Sequence, residues 1–284
     1  MTHRIALITD STCDIPQKWV EQYEIEVVPL SIVFGGKPFL DGIEMTASDF
    51  YDRLASDPNH PTTSQPTPGA FLQAYNNAAS KGAEKILVFT ISSAMSGTVV
   101  SARQAVEDSP IPVTVVDGKN NGMGLGWQVI AAARARETGG GQPEMESAAE
   151  FVRSHMVYYV TLDTIDYLSK GGRIAGAVSF VNSFLKIKPL IYVKPESGAV
   201  GASIPARSRR GALEGLYKEF TKHFQPGQIL HITVVHNNAL EEAQQVAEKV
   251  KTEFSPREMF ITFASPVLGA HTGPRAVGLI GYAE

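Results

Sequence analysis

A single cysteine, Cys13, stands in a chain of 284 residues. That excludes an internal disulfide framework, and one thiol cannot build a zinc site. Cys13 follows the first predicted strand, where it reads either as a reactive thiol or as a small buried residue. Positive charge is not in excess. Lys and Arg number 25 against 29 Asp and Glu, for a formal net charge of −4, which argues against a general nucleic-acid binder. No apolar run approaches the roughly 18 residues of a membrane-spanning helix. Met1-Thr2-His3-Arg4 runs straight into a short apolar strand with no signal-peptide core. The expectation is a soluble, cytoplasmic protein.

Several catalytic signatures are missing too. There is no Gly-x-x-x-x-Gly-Lys-Ser/Thr phosphate loop and no full Gly-x-Gly-x-x-Gly after the first strand. Gly122-Met123-Gly124-Leu125-Gly126 is glycine-rich but lacks the dinucleotide pattern. No Gly-x-Ser-x-Gly elbow marks a serine hydrolase. The seven histidines are scattered without metal-ligand spacing. Asp163 and Asp166, three apart, share one face of any helix that holds them, a pattern common on solvated surfaces.

What is present is a βα rhythm. Hydrophobic residues make up 43% and charged residues 19%, a globular composition. Strands are predicted at residues 4–9, 25–33, 85–91, 112–116, 157–162, 189–193, 229–235, 259–263 and 277–282. Helices are predicted at residues 15–23, 68–80, 97–107, 123–137, 207–224 and 238–254, with others starting at Thr46 and near Glu144. Residues 37–44 read as a loop or hairpin return. Thr46 with Asp49, and Asn238 with Glu241, have the residue types of capping boxes. Short continuous apolar strands alternating with helices predict a parallel sheet covered on both faces. Gly139-Gly140-Gly141-Gln142-Pro143 breaks helical periodicity. The fold class expected is α/β in two domains, residues 1–160 and 161–284, with parallel or mixed sheets flanked by helices and later strands free to rejoin the first sheet.

Ligands of open α/β sheets gather beyond the carboxyl ends of the strands. Four loops there are rich in hydroxyls, Gly and Pro: residues 10–12, 61–66, 92–98 and 269–274. Ser92-Ser93-Ala94-Met95-Ser96-Gly97-Thr98 joins a strand to a helix, so backbone N–H groups and hydroxyls converge where an anion fits. Ser93 or Ser96 would equally cap the helix in a protein with no ligand at all. The Thr63-Ser64-Gln65-Pro66 stretch is also ordinary turn chemistry. His271, in a loop expected between two strands, could donate a charge-assisted hydrogen bond to a carboxylate.

Together these segments resemble the DegV family. The resemblance begins at residues 8–14 (Ile-Thr-Asp-Ser-Thr-Cys-Asp) and passes through Val28-Pro29-Leu30, Thr63-Ser64-Gln65-Pro66, the serine loop at 92–98 and Val116-Asp117. It continues through residues 166–174 (Asp-Tyr-Leu-Ser-Lys-Gly-Gly-Arg-Ile), 185–189 and 205–210, and ends at His271-Thr272-Gly273-Pro274. Each motif is weak alone, but they keep family order over almost the whole chain, so residues 3–283 read as one DegV-type unit. Met95 stands where a leucine is common, and Arg275 where a second glycine often follows the proline.

The resemblance implies a protein that binds one long-chain fatty acid in an apolar tunnel and does no chemistry on it. It implies that Thr63, Ser96 or Ser93, and His271 hold the carboxylate. Ser96 is preferred because it leads directly into the helix. The implied partners are the acid, an ATP-dependent fatty-acid kinase serving phospholipid metabolism and, transiently, a membrane surface. No nucleic acid, metal or cofactor is expected. Arg173, Arg207, Arg209 and Arg210 are the implied kinase-docking residues. A solvated helix N-terminus is the other reading of the last three, although arginines there oppose the helix dipole. Two further classes remain. One is an acyl hydrolase or transferase using Ser96 with His271, for which no motif positions a base or orienting group. The other is a lipid-sensing regulator without a kinase.

Overall fold

The first strand, β1 (Ile5–Asp10), is apolar on both faces and sits inside a parallel four-stranded sheet. The computed structural model describes residues 4–173 and 187–284; Ile174, Leu185 and Lys186 of the quoted motifs lie outside them. In that sheet β1 lies between β2 (Ile25–Val28) and β6 (Lys85–Thr90), with β7 (Val113–Asp117) beyond β6. A three-stranded antiparallel sheet joins β3 (Ser31–Phe34), β4 (Lys37–Leu40) and β5 (Thr62–Ser64) in the order β4-β3-β5. The remaining strands form a mixed six-stranded sheet, in the order β10-β9-β8-β13-β11-β12. They are β8 (Val157–Thr161), β9 (Leu190–Val193), β10 (Val200–Ala202), β11 (Leu230–His236), β12 (Glu258–Phe263) and β13 (Val277–Ala283). The α/β class with parallel and mixed sheets is therefore the observed one.

Helices α1 (Gln17–Gln22), α2 (Ala47–Ser56), α3 (Pro68–Ser80), α4 (Thr98–Gln104), α5 (Gly122–Glu137) and α6 (Gln142–Ser154) occupy the first half. Then come α7 (Asp166–Lys170), α8 (Arg209–Thr221), α9 (Leu240–Phe254) and α10 (Pro266–Thr272). Local chemistry fixes several starts. Thr46 and Asp49 form the capping box of α2, and Thr67 caps α3 with Pro68 in its first turn. Helix α5 is buried almost all round, as expected of a helix enclosed by other elements. It packs on β1, β6 and β13, so one apolar core runs from the parallel sheet through α5 and α6 to the mixed sheet. Trp127 stands fully buried in that core, its indole N–H donating to Thr233 Oγ1 of β11 at 3.0 Å.

Four expectations are corrected. The strand expected over residues 25–33 is two strands in two sheets. Pro29 has no N–H to continue a ladder, and the Leu30 N–H donates instead to Ser11 Oγ (3.0 Å). Asn238 does not cap α9. It takes a left-handed φ of 53, and the helix starts after Ala239 without a side-chain cap. The turn before it is held from elsewhere, by Asn237 Nδ2 on Thr272 Oγ1 and the Gly273 carbonyl. Asp163 precedes α7 and does not share its helical face; it accepts from Lys188 Nζ at 2.7 Å. The expected loop around His271 is the last turn of α10, opened by Pro266. Among the described residues no helix is long and apolar enough to cross a membrane.

Candidate ligand cavity

A cavity of about 260 Å³ opens beside the hydroxyl-rich loops. The antiparallel sheet contributes Thr63, Ser64 and Gln65, and the β6–α4 turn contributes Ile91, Met95 and Ser96. The mixed sheet supplies an apolar wall of Val160, Ile191, Val193 and Val200; Val267, Leu268 and His271 of α10 close it from the side. Apolar walls with a few polar groups at one place are the usual make-up of a small-molecule site.

Strand pairing and a helix end bring the polar groups together. Thr63 is paired with Ile32 in β5, and His271 sits in the last turn of α10. Thr63 Oγ1 and His271 Nε2 are 2.9 Å apart, although 208 residues separate them in sequence. The other ring nitrogen, Nδ1, is buried with no partner among the described residues. Burial, reinforced by the positive charge of Arg173 and by His60, depresses the imidazole to about 4, so it is neutral near neutral pH. The neutral ring, the Thr63 and Ser96 hydroxyls and the Arg173 guanidinium share one lining. An anion there counters the field that depresses His271.

The two serines differ. Ser96 lines the cavity, with its hydroxyl 2.8 Å from Thr98 Oγ1. The Ser93 hydroxyl and N–H both donate to the carboxylate of Asp117, and Ser93 is not among the lining residues. Neither caps α4, whose N-cap is Gly97 with no side-chain bond.

The arginines also separate. Arg173 lines the cavity, donating to the carbonyls of Met95 (3.2 Å) and Gly171 (2.8 Å). Arg209 is tied to Glu242, with Nε on Oε1 at 2.8 Å and Nη2 on Oε2 at 2.5 Å, and Arg275 joins the same carboxylate at 3.0 Å. Arg210 is exposed and, among the described residues, pairs only with Glu214, one helical turn on. Arg207 is exposed.

Sequence reasoning gave no role to Asn121 or Tyr158, which also line the cavity, nor to Gly171, against which the His271 ring packs. Gly171 lay within a quoted motif; Asn121 and Tyr158 carried no local signal. Cys13 is buried and burial pushes its thiol up, away from the reactive thiolate. Among the described residues no three His, Cys, Asp or Glu side chains gather as a metal site.

The family model described as "Uncharacterised protein, DegV family" matches residues 4–284. The chain belongs to the DegV family. A DegV domain-containing protein of Streptomyces coelicolor is 32% identical to it over 282 residues, covering 99% of both chains. Among solved DegV structures, one from Thermus thermophilus, described by its fatty acid binding, superposes with a TM-score of 0.92 at 30% identity. It covers 99% of this chain and 100% of that one. The DegV of Bacillus subtilis, described as a fatty acid binding protein, superposes with a TM-score of 0.91 at 27% identity and the same coverage.

Proposed function

We propose that this protein binds one long-chain fatty acid in the cavity, its carboxylate at Thr63, Ser96 and His271, and offers that carboxylate to an ATP-dependent kinase. The observation that carries the reading is the 2.9 Å pairing of Thr63 with His271 on the lining of an otherwise largely apolar cavity. Two DegV relatives described as fatty acid binders share the fold over the whole chain, which supports it further.

The energetics divide between tail and head. Each methylene removed from water is worth about 0.8 kcal/mol, so a chain of about 16 carbons contributes on the order of 10 kcal/mol before ordering and association costs. A carboxylate buried without partners loses several kcal/mol. The hydroxyls and the imidazole remove that penalty and set orientation. Binding is favoured over Ser96–His271 hydrolysis by the bonding pattern: His271 Nε2 is engaged by Thr63, and the Ser96 hydroxyl by Thr98. A nucleophilic serine needs its base within hydrogen-bond reach. The two-domain division at about residue 160 belongs to the same proposal, because the lining comes from elements on both sides of it. Kinase docking falls to Arg207 and Arg210, exposed at the start of α8, with Arg173 at the cavity and Arg209 fixed beneath.

Native mass spectrometry of freshly purified protein tests the binding half. The expected result is a stoichiometric fatty-acid adduct that His271→Ala diminishes. No adduct after growth on added fatty acid would sink the reading. Turnover of acyl esters, or labelling of Ser96 by an active-serine probe, would replace it with the hydrolase.

A further inference from the structure

The acyl wall of the cavity is not uniformly apolar. Asn121, the residue before α5, lines it, and its Oδ1 is buried without a hydrogen-bond partner. Among the described residues its Nδ2 reaches only the thioether of Met95, at 3.1 Å. Tyr158 of β8 also lines the cavity and is 9% exposed. Its hydroxyl makes no hydrogen bond with any described residue.

The Tyr158 hydroxyl and one Asp14 oxygen approach Gly122, the residue after Asn121. The Tyr158 hydroxyl lies 3.3 Å from the point where a β-carbon on Gly122 would stand, and Asp14 Oδ2 lies 3.3 Å from the same point. The two oxygens are therefore no more than twice that distance apart. They make no bond with each other, and Asp14 Oδ2 is itself buried and without a partner among the described residues. Gly122 has a φ of 51, which glycine adopts freely, and any side chain there would crowd both oxygens. Asn121 and Tyr158 thus put polar atoms on a lining otherwise fit for methylenes, and Asp14 Oδ2 approaches the same glycine from outside that lining. Buried polar atoms left unpaired are costly, and native proteins rarely keep several together without an occupant.

We infer that this polar station receives an oxygen carried on the acyl chain, so that the preferred ligand is a long-chain acid bearing a hydroxyl part-way along. A hydroxyl both donates and accepts, so it satisfies the Asn121 amide whichever way that group is turned. Arg173 bonds the Met95 carbonyl and Asn121 reaches the Met95 sulfur. The length of a methionine thus sets the station apart from the carboxylate end, which places the hydroxyl along the chain and not beside the carboxyl carbon.

This inference rests on the fatty-acid reading, and one titration separates the two. The full-length protein is titrated with stearate and with hydroxystearates whose hydroxyl is moved along the chain. One isomer, or a few adjacent ones, should bind about tenfold more tightly than stearate. In the Tyr158→Phe and Asn121→Leu double variant that preference should reverse; Tyr158→Phe alone, the milder change, should cut it severalfold. Stearate binding with every hydroxy isomer weaker overturns the inference and leaves the fatty-acid reading in place. An unaltered preference in both variants overturns it equally. Failure of stearate and all isomers to bind overturns both.

Discussion

His271 occupies the space that a side chain on Gly171 would need. A β-carbon built on Gly171 collides with the ring at Nδ1. Gly171 has φ −72 and ψ −8, a conformation open to any residue. Glycine is thus required by the imidazole and not by the backbone. We predict that Gly171→Ala displaces the ring, weakens acid binding about tenfold and costs ~1–3 kcal/mol of stability by overpacking. Calorimetric titration and a urea melt measure the two effects. In a His271→Ala background the same substitution should cost little stability; an equal cost in both backgrounds would place the clash elsewhere.

The depressed His271 makes the ligand-free fold sensitive to acid. Its value in the fold is about 4 against an ordinary 6.5, so the unfolded chain takes up the proton first as pH falls. The stability tied to the neutral ring is present above pH 6.5 and lost toward pH 4. The loss amounts to at most ~3 kcal/mol. His271→Gln should remove that component. Urea melts of both proteins across this range should show the gap between them shifting in favour of the variant as pH falls. A constant gap would contradict the assignment.

Asp41 works in the opposite direction. Burial, aided slightly by the Asp10 charge, pushes its carboxyl up to about 7, against bonds from Ser11 and the Val267 N–H. The stability it contributes is full below its ordinary 3.8 and is lost as pH rises to about 7. Asp41→Asn, uncharged throughout, should therefore gain on the parent protein between these limits, by at most ~4 kcal/mol. Comparing unfolding free energies near pH 5 and near pH 8 checks this. A variant no better at the higher pH than at the lower would refute it.

Neighbouring arginines on α8 should respond unequally to charge reversal. Arg209→Glu leaves Glu242 facing a like charge at a pair whose side chains are 16% and 21% exposed, and should cost ~2 kcal/mol or more. Arg210→Glu, at a side chain 90% exposed, should stay within about 0.5 kcal/mol. Melting of the two variants distinguishes them, and Arg210 is accordingly the cleaner site for testing kinase docking while lipid binding is monitored.

How far the chain could be read follows from the range of each interaction. The span of α3 and the capping box of α2 were legible because Thr67, Pro68, Thr46 and Asp49 act within one turn of themselves. Asn238 carried the same kind of signal and failed, since Asn237 is held by Thr272 and Gly273 from another element. The helical turn under His271 was missed because Gly and Pro on either side read as loop. The proposed site residues Thr63, Ser96 and His271 came from a resemblance in motif order; their local chemistry also fitted turns and caps.

By itself, then, the sequence determined the α/β class, most element positions and family membership, through short-range propensity, the period of apolar residues and motifs in order. Tertiary structure alone decided that Thr63 meets His271, that Ser93 turns to Asp117 while Ser96 faces the cavity, and that Arg209 is committed to Glu242. It also decided that Asn121 and Tyr158 face the cavity and that Asp14 meets Tyr158 at Gly122. The reason is physical. A cavity is the space left where three sheets and their helices fail to fill one another. Its lining runs from Leu30 to Thr272, and no local pattern records which residues between them will face it.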